Sequence, residues 1–207
     1  MQACNDKRSK PTEVLSAEHR VIEQMLDCLE RVAADGRVRA ALCAEDARDC
    51  VEFLRTFADR CHHGKEEDVL FELLRARGMP THVGPVAVML GEHEEGRALV
   101  KRLDAAARSA DARAAAVEFA AAADEYVALL RDHIAKEDGV LFPMAESVLR
   151  DEDRVEALRR YEARERDDLG AGTHERMLGL SERLAHKYGV KRASERAAPA
   201  FGGCCHH

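Results

Sequence analysis

The sequence predicts an all-α protein, four long helices in one domain with a helical appendage, and three observations carry that prediction. Alanine, leucine, glutamate and arginine dominate the 207 residues, while aromatic side chains make up only 4% and tryptophan is absent, so helix-favouring residues outweigh sheet-favouring ones. Apolar residues recur at spacings of three and four over long stretches bounded by Gly and Pro. No βαβ alternation, G-x-G-x-x-G or P-loop interrupts the pattern, which sets nucleotide-binding folds aside.

Breakers divide the chain into elements. Pro11-Thr12 opens the first helix, with Thr12 or Ser16 as candidate N-cap, and it should run to about Ala34, before Asp35-Gly36. Leu15, His19, Ile22, Leu26 and Leu29 share one face of it. The second should start near Glu45 and end at Gly78-Met79-Pro80, facing inward with Leu54, Ala58, His62, Glu66, Val69, Leu70 and Leu73. After the turn chemistry of Pro80 to Pro85, the third carries Val86, Met89, His93, Gly96, Val100 and Leu103. The fourth begins around Ala110 and presents Tyr126, Leu130, His133, Glu137, Val140 and Leu141, and Pro143 should kink or perturb it a turn further on. Beyond Arg150 a helix is expected through Ala163 and another from Thr173 to Tyr188, separated by Gly170-Ala171-Gly172. The stretch from Lys191 to His207 is small, charged and Gly-rich, a tail expected to fray.

Charge and cysteine content bound the function. Hydrophobic residues at 46% and charged ones at 34% fit a folded globular chain rather than a disordered one. The 39 acidic side chains outnumber the 32 basic ones, giving −7, which opposes a nucleic-acid partner that would need a basic face. No run of about 18 apolar residues exists, so no membrane partner is expected. Met1 to Lys10 lacks an apolar segment of the secretory kind, and a cytoplasmic location is the expectation. The seven cysteines (Cys4, Cys28, Cys43, Cys50, Cys61, Cys204, Cys205) are odd in number and irregularly spaced. They imply no disulfide framework, and Cys28, Cys50 and Cys61 read as small buried hydrophobes.

The chemistry lies in a repeat. Residues 62 to 71 read HHGKEEDVLF and residues 133 to 142 read HIAKEDGVLF, sharing H-x-x-K-E-[ED]-x-V-L-F. Upstream of each stands a Glu-His pair, Glu18-His19 and Glu92-His93, so a helical hairpin is used twice, each copy offering His and then His-x-x-x-Glu. His19 and His62 each lie some 22–24 Å from their connecting loop at the standard helical rise, so an antiparallel hairpin sets them level. Positions i and i+4 sit one above the other on a helix face. His19, His62, Glu66, His93, His133 and Glu137 should therefore converge on the middle of one bundle. Six such groups buried unpaired would be very costly, and a divalent or trivalent metal ion removes that cost. Imidazole with carboxylate and no thiolate favours non-haem iron or manganese.

With those residues in place, the chain resembles the hemerythrin-like (HHE cation-binding) family, in its bacterial form, over about residues 12 to 149. The resemblance implies an antiparallel up-down four-helix bundle over 12–149, an N-terminal segment 1–11, a C-terminal helical extension 150–190 and a flexible tail 191–207. It implies two non-haem iron ions, oxo- or hydroxo-bridged, with His19, His62, His93 and His133 as terminal ligands and Glu66 and Glu137 as bridging carboxylates. Oxygen-carrying relatives use a fifth histidine one turn from the ligand on the third helix. Here Met89 and Arg97 stand four before and four after His93, which on this resemblance implies an open or water-filled position on both irons.

The function this implies is binding of O2, NO or peroxide at a His/Glu-ligated centre, for sensing, binding or detoxification, with a weak peroxide- or nitric-oxide-processing activity as the enzymatic form. The alternative is iron storage or delivery, or repair of iron–sulfur clusters, although cluster-repair relatives carry a cysteine-containing N-terminal domain and only Cys4 precedes the bundle here. A ferritin-like carboxylate oxidase needs Glu-x-x-His pairs, and none occurs. Three further groups bear on the ligand count. His174 on the appendage reads as a surface residue, and His63 points about 100° away from His62 on an α-helix, toward solvent or a supporting contact. Tyr126 reads as core or support. Glu67 and Asp138 either orient neighbours or face solvent, and Cys204-Cys205-His206-His207 reads as an adventitious chelator or exposed redox pair rather than a closed site.

Overall fold

The structure, a computed structural model, describes residues 10–167 and 170–196. The expectations for Cys4, the N-terminal residues and the Cys204-Cys205-His206-His207 tail lie outside the described residues. Every regular element among those described is helical: α1 (Pro11–Arg39), α2 (Ala44–Phe53), α3 (Phe71–Ala76), α4 (Gly84–Ala107), α5 (Ala112–Lys136), α6 (Phe142–Val148), α7 (Asp151–Asp167) and α8 (Thr173–Tyr188), with a short 3₁₀ turn at Ala193–Glu195.

Local chemistry sets the ends of these elements. Pro11 occupies the first turn of α1, where its missing N–H costs nothing and its fixed φ suits the helix. The N-cap is Lys10 rather than Thr12 or Ser16; both hydroxyls are buried inside the helix, bonding Glu146 at 2.6 Å and Asp138 at 2.7 Å. Asp35-Gly36 does not stop α1. Gly36 is a packing position, where an added Cβ would lie 2.9 Å from the Leu42 side chain, so close approach rather than chain reversal explains the residue. Asp111 caps α5 by accepting from the backbone N–H groups of Arg113 and Ala114.

The second and fourth rods are not uniform α-helices. Between α2 and α3 lie two π-helical stretches, Leu54–His63 and Glu66–Leu70, and between α5 and α6 lies a third, Glu137–Leu141. The wider turn shows in bonds reaching five residues back: Gly64 N–H to Asp59, Phe71 N–H to Glu66, and Phe142 N–H to Glu137. Pro143 cannot donate and crowds the carbonyl of Gly139, so the perturbation expected near it takes the form of this widening just upstream. The widening also corrects two inward-facing expectations. Leu73 is only half-buried and Leu74 takes its place; Val140 is exposed and Leu141 is buried.

Packing neighbours form a closed ring: α1 lies against α5, α5 against α4, α4 against α2, and α2 against α1. The interior holds two apolar clusters. One gathers Leu26, Leu29, Phe53, Phe57, Leu103 and Phe119, and the other gathers Leu15, Leu70, Leu74, Met89, Leu141 and Phe142. The last two helices share these clusters, α7 through Ala157 and Tyr161, and α8 through Met177 and Leu184. No described helix is long and apolar enough to cross a membrane.

Asp46 on α2 anchors the end of α8. Its buried carboxylate accepts from Lys187 Nζ at 2.6 and 2.8 Å and from the Tyr188 hydroxyl at 2.6 Å. Burial alone would raise this carboxyl, but the bonds from Lys187 and Tyr188 outweigh it and hold it below its ordinary 3.8. Asp46→Asn is expected to cost about 1–3 kcal/mol in urea unfolding at neutral pH. A depressed native pKa stabilises above the unfolded value and loses its contribution as pH falls through the native one. The gap between wild type and variant should therefore narrow below about pH 4.

Candidate metal centre

Between the two apolar clusters lies a polar layer, and the chain order explains it. His19 falls between Leu15 and Ile22, His62 between Ala58 and Val69, His93 between Met89 and Leu99, and His133 between Leu130 and Leu141, so each rod passes from one cluster to the other through a histidine. All four histidines, Glu66 and Glu137 are at most 1% exposed. Their donor atoms form two overlapping groups, each with atoms within 4.8 Å of one another: His19, His62, Glu66 and Glu137, and His63, Glu66, His93 and His133. Glu66 belongs to both. Glu137 reaches across as well, with Oε2 3.2 Å from His19 Nε2 and 3.3 Å from His133 Nε2.

Each imidazole is fixed from behind by a carboxylate, in a pattern that follows the sequence repeat. The glutamate of each Glu-His pair serves the histidine of the next rod: Glu18 accepts from His62 Nδ1 at 3.0 Å and Glu92 from His133 Nδ1 at 2.9 Å. The acid after each H-x-x-x-E serves the other two: Glu67 accepts from His93 Nδ1 at 2.7 Å and Asp138 from His19 Nδ1 at 2.9 Å. Of the alternatives left open for Glu67 and Asp138, the structure gives the orienting role. Because an ionised carboxylate only accepts, each Nδ1 carries a proton and each Nε2 is the nitrogen that faces the layer. Cations hold the carboxylates in turn: Lys65 binds Glu18, Lys136 binds Glu92, Arg97 Nη2 binds Glu67 at 2.7 Å, and Arg20 Nη2 binds Asp138 at 2.5 Å. Glu92→Gln keeps the shape but removes the charge behind His133, and is expected to weaken metal affinity about 10–100-fold with little change in fold stability. Competition against a chelator measures this.

What faces inward is an unsatisfied donor set. His62 Nε2, both oxygens of Glu66 and Glu137 Oε1 are buried and make no hydrogen bond. His93 Nε2 and His133 Nε2 approach to 3.2 Å although both Nδ1 atoms already carry protons. Each orphaned buried group costs about 1–3 kcal/mol, and a cation among these atoms would satisfy all of them together. The proton affinities of the metal-free layer divide: burial lowers His19, but Asp138 and Glu137 outweigh it and raise it to about 9. Burial and the charge of Glu137 push the Glu66 carboxyl well up. Burial also opposes ionisation of Glu137, but His133 and His19 outweigh it and bring that carboxyl well down. Burial lowers His62 to about 4 against the pull of Glu18, so this imidazole is neutral and able to donate its lone pair.

Two residues depart from expectation or were missed. His63 does not face solvent: it is 3% exposed and stacks on His93 with ring centroids 3.9 Å apart. Of the two settings expected for it, the solvent one fails because the angle per residue was taken from an α-helix, whereas this stretch is π-helical. Lys65 is wholly buried although its charged surroundings in sequence suggest a solvated face, and α7 supplies the reason by bringing Glu165 to it and Tyr161 within 5.8 Å. Glu18, Cys61 and Glu165 also have metal-ligating types within reach of one another, but the Lys65 ammonium pairs with both carboxylates. His174 is part-exposed, 3.4 Å from Glu165, and Tyr126 is buried in the core beside Gly96, so neither belongs to the donor groups.

A helical domain with a buried layer of His and Glu donors, each imidazole fixed through Nδ1, defines a class of protein built to hold cations. The hemerythrin HHE cation binding domain matches residues 7–145, and the chain belongs to that family. No curated protein and no solved structure matches it.

Proposed function

We propose that this chain is a non-haem di-iron protein in which His19, His62, His93 and His133 ligate two irons, Glu66 and Glu137 are shared between them, and O2, NO or peroxide is bound for sensing, binding or detoxification. The observation that carries this is the inward donor set: Nε2 atoms of four histidines and the oxygens of two glutamates, buried, half of them without hydrogen bonds, and with each imidazole held through Nδ1 by an acid behind it. Nitrogen and oxygen donors without thiolate favour iron or manganese over softer ions. When bound, iron supplies a redox couple and positions for a small ligand. The protein holds the imidazoles at fixed angles, keeps Nδ1 protonated, and shields the layer from water with an apolar cluster on each side.

An antiparallel up-down four-helix bundle over 12–149 is the arrangement supported by the closed ring of neighbours and by connections as short as residues 40–43 and 108–111. The division at 150 places α7 and α8 in an extension that covers Lys65 and the far end of α2. A cytoplasmic location is supported by the unpaired thiols of Cys28, Cys43, Cys50 and Cys61, as a reducing compartment would leave them.

The test is reactivity of the iron-loaded protein. Near-ultraviolet absorption that bleaches on reduction and returns in air is the result expected for reversible binding or sensing, and bleaching that air does not restore is expected for detoxification. Iron that binds without any metal-dependent absorption or response to O2, NO or peroxide would contradict the reading.

A further inference from the structure

We propose that His63 is a fifth imidazole ligand, closing one position on the iron held by His93 and His133 and leaving the iron of His19 and His62 the open one. The inference rests on the di-iron reading above and adds a residue that neither the repeat nor the ligand on the third helix supplies.

Four observations converge on His63. Both its ring nitrogens are buried and make no hydrogen bond, which for a solely structural imidazole would be a standing cost. A nitrogen of His63 lies within 4.8 Å of donor atoms of Glu66, His93 and His133, and its ring lies 3.9 Å from that of His93 and 5.7 Å from that of His133. Its Nδ1 faces a carboxylate as the other four do, Asp59 Oδ1 at 3.7 Å, and Arg97 grips that acid at 2.8 Å while also gripping Glu67 behind His93 at 2.7 Å. One guanidinium therefore steadies the supports of both imidazoles, at the position where α4 lacks a histidine of its own.

The backbone accounts for how two consecutive histidines turn inward together. The π-helical stretch Leu54–His63 runs directly into the pair, and its wider turn brings neighbouring side chains closer in angle than an α-helix does. In the second repeat α5 stays α-helical through Lys136, and the residue after His133 is Ile134, which packs in the apolar core. Sequence and backbone thus break the repeat's symmetry at the same residue. On the other side of His63 lies a cavity of about 200 Å³, lined also by Gly96, Arg97 and Tyr126, so the ring stands between that cavity and the donor layer.

Mössbauer spectroscopy of full-length protein loaded anaerobically with iron-57 and then oxidised is the test. Wild type is expected to show two quadrupole doublets of equal area, one per inequivalent iron. His63→Phe keeps the stacked ring but removes its nitrogens, and His63→Ala leaves a hole. Both should merge the doublets toward one and weaken binding of one iron at least about tenfold, and added imidazole should restore the second doublet in His63→Ala. Two irons with a single doublet in wild type, or variants with an unchanged spectrum, would overturn the role of His63 and leave the di-iron reading standing. Failure of wild type to bind iron would overturn both. The wild-type spectrum decides the matter even if a variant does not fold.

Discussion

Replacing Glu66 with leucine is expected to abolish metal binding and at the same time to stabilise the metal-free protein. Glu66 belongs to both donor groups, so its loss removes an oxygen from each ion rather than from one, and affinity for both should fall at least about 100-fold. In the metal-free chain the same carboxyl is wholly buried with neither oxygen hydrogen-bonded, while its neighbours Val69 and Leu70 are apolar core. An aliphatic side chain of similar length removes that penalty, a gain of about 1–3 kcal/mol. Thermal unfolding in the presence of a chelator, set beside iron content after loading, reads the two effects separately. A variant that is less stable without metal would mean that Glu66 is a structural residue with partners of its own.

Lys65→Met is expected to be the most damaging substitution outside the donor set. The ammonium is fully buried between Glu18 and Glu165, and removing it strands the Glu18 carboxylate, itself 7% exposed, without its counter-charge. Breaking a buried pair from one side costs about 3–5 kcal/mol. Metal affinity should fall as well, about 10–100-fold, because Glu18 is what fixes His62. Lys136 occupies the same place in the second repeat, yet its side chain is 34% exposed, so Lys136→Met should cost no more than about 1 kcal/mol. Urea unfolding of the two variants side by side makes the comparison. Equal costs would show that α7 does not seal Lys65 from water.

Much of this arrangement was legible in the sequence because it repeats. Two H-x-x-x-E segments and two Glu-His pairs at matching distances were enough to bring six residues to one level, and the structure gathers all six. The acids behind the imidazoles stood in the same repeat, but their pairing across rods depends on which helices are neighbours, and periodicity within one helix carries no such information. Two inward-facing readings, and the solvent alternative for His63, failed for a shared physical reason. Leu73, Val140 and His63 were placed by α-helical angles, and all three lie in or just after segments where the backbone bonds reach five residues back. Of those segments only Glu137–Leu141 has a local signal, Pro143. The burial of Lys65 was not legible, because it depends on α7, nearly a hundred residues away, which folds Glu165 over it.

Anaerobic titration of the metal-free protein with ferrous iron reads out whether the polar layer holds a pair of metal ions. A break at two irons per chain is expected, with no binding above background in Glu66→Leu. A break well below one iron per chain, or the same binding in wild type and Glu66→Leu, would contradict it and return these histidines to the role of buried core residues.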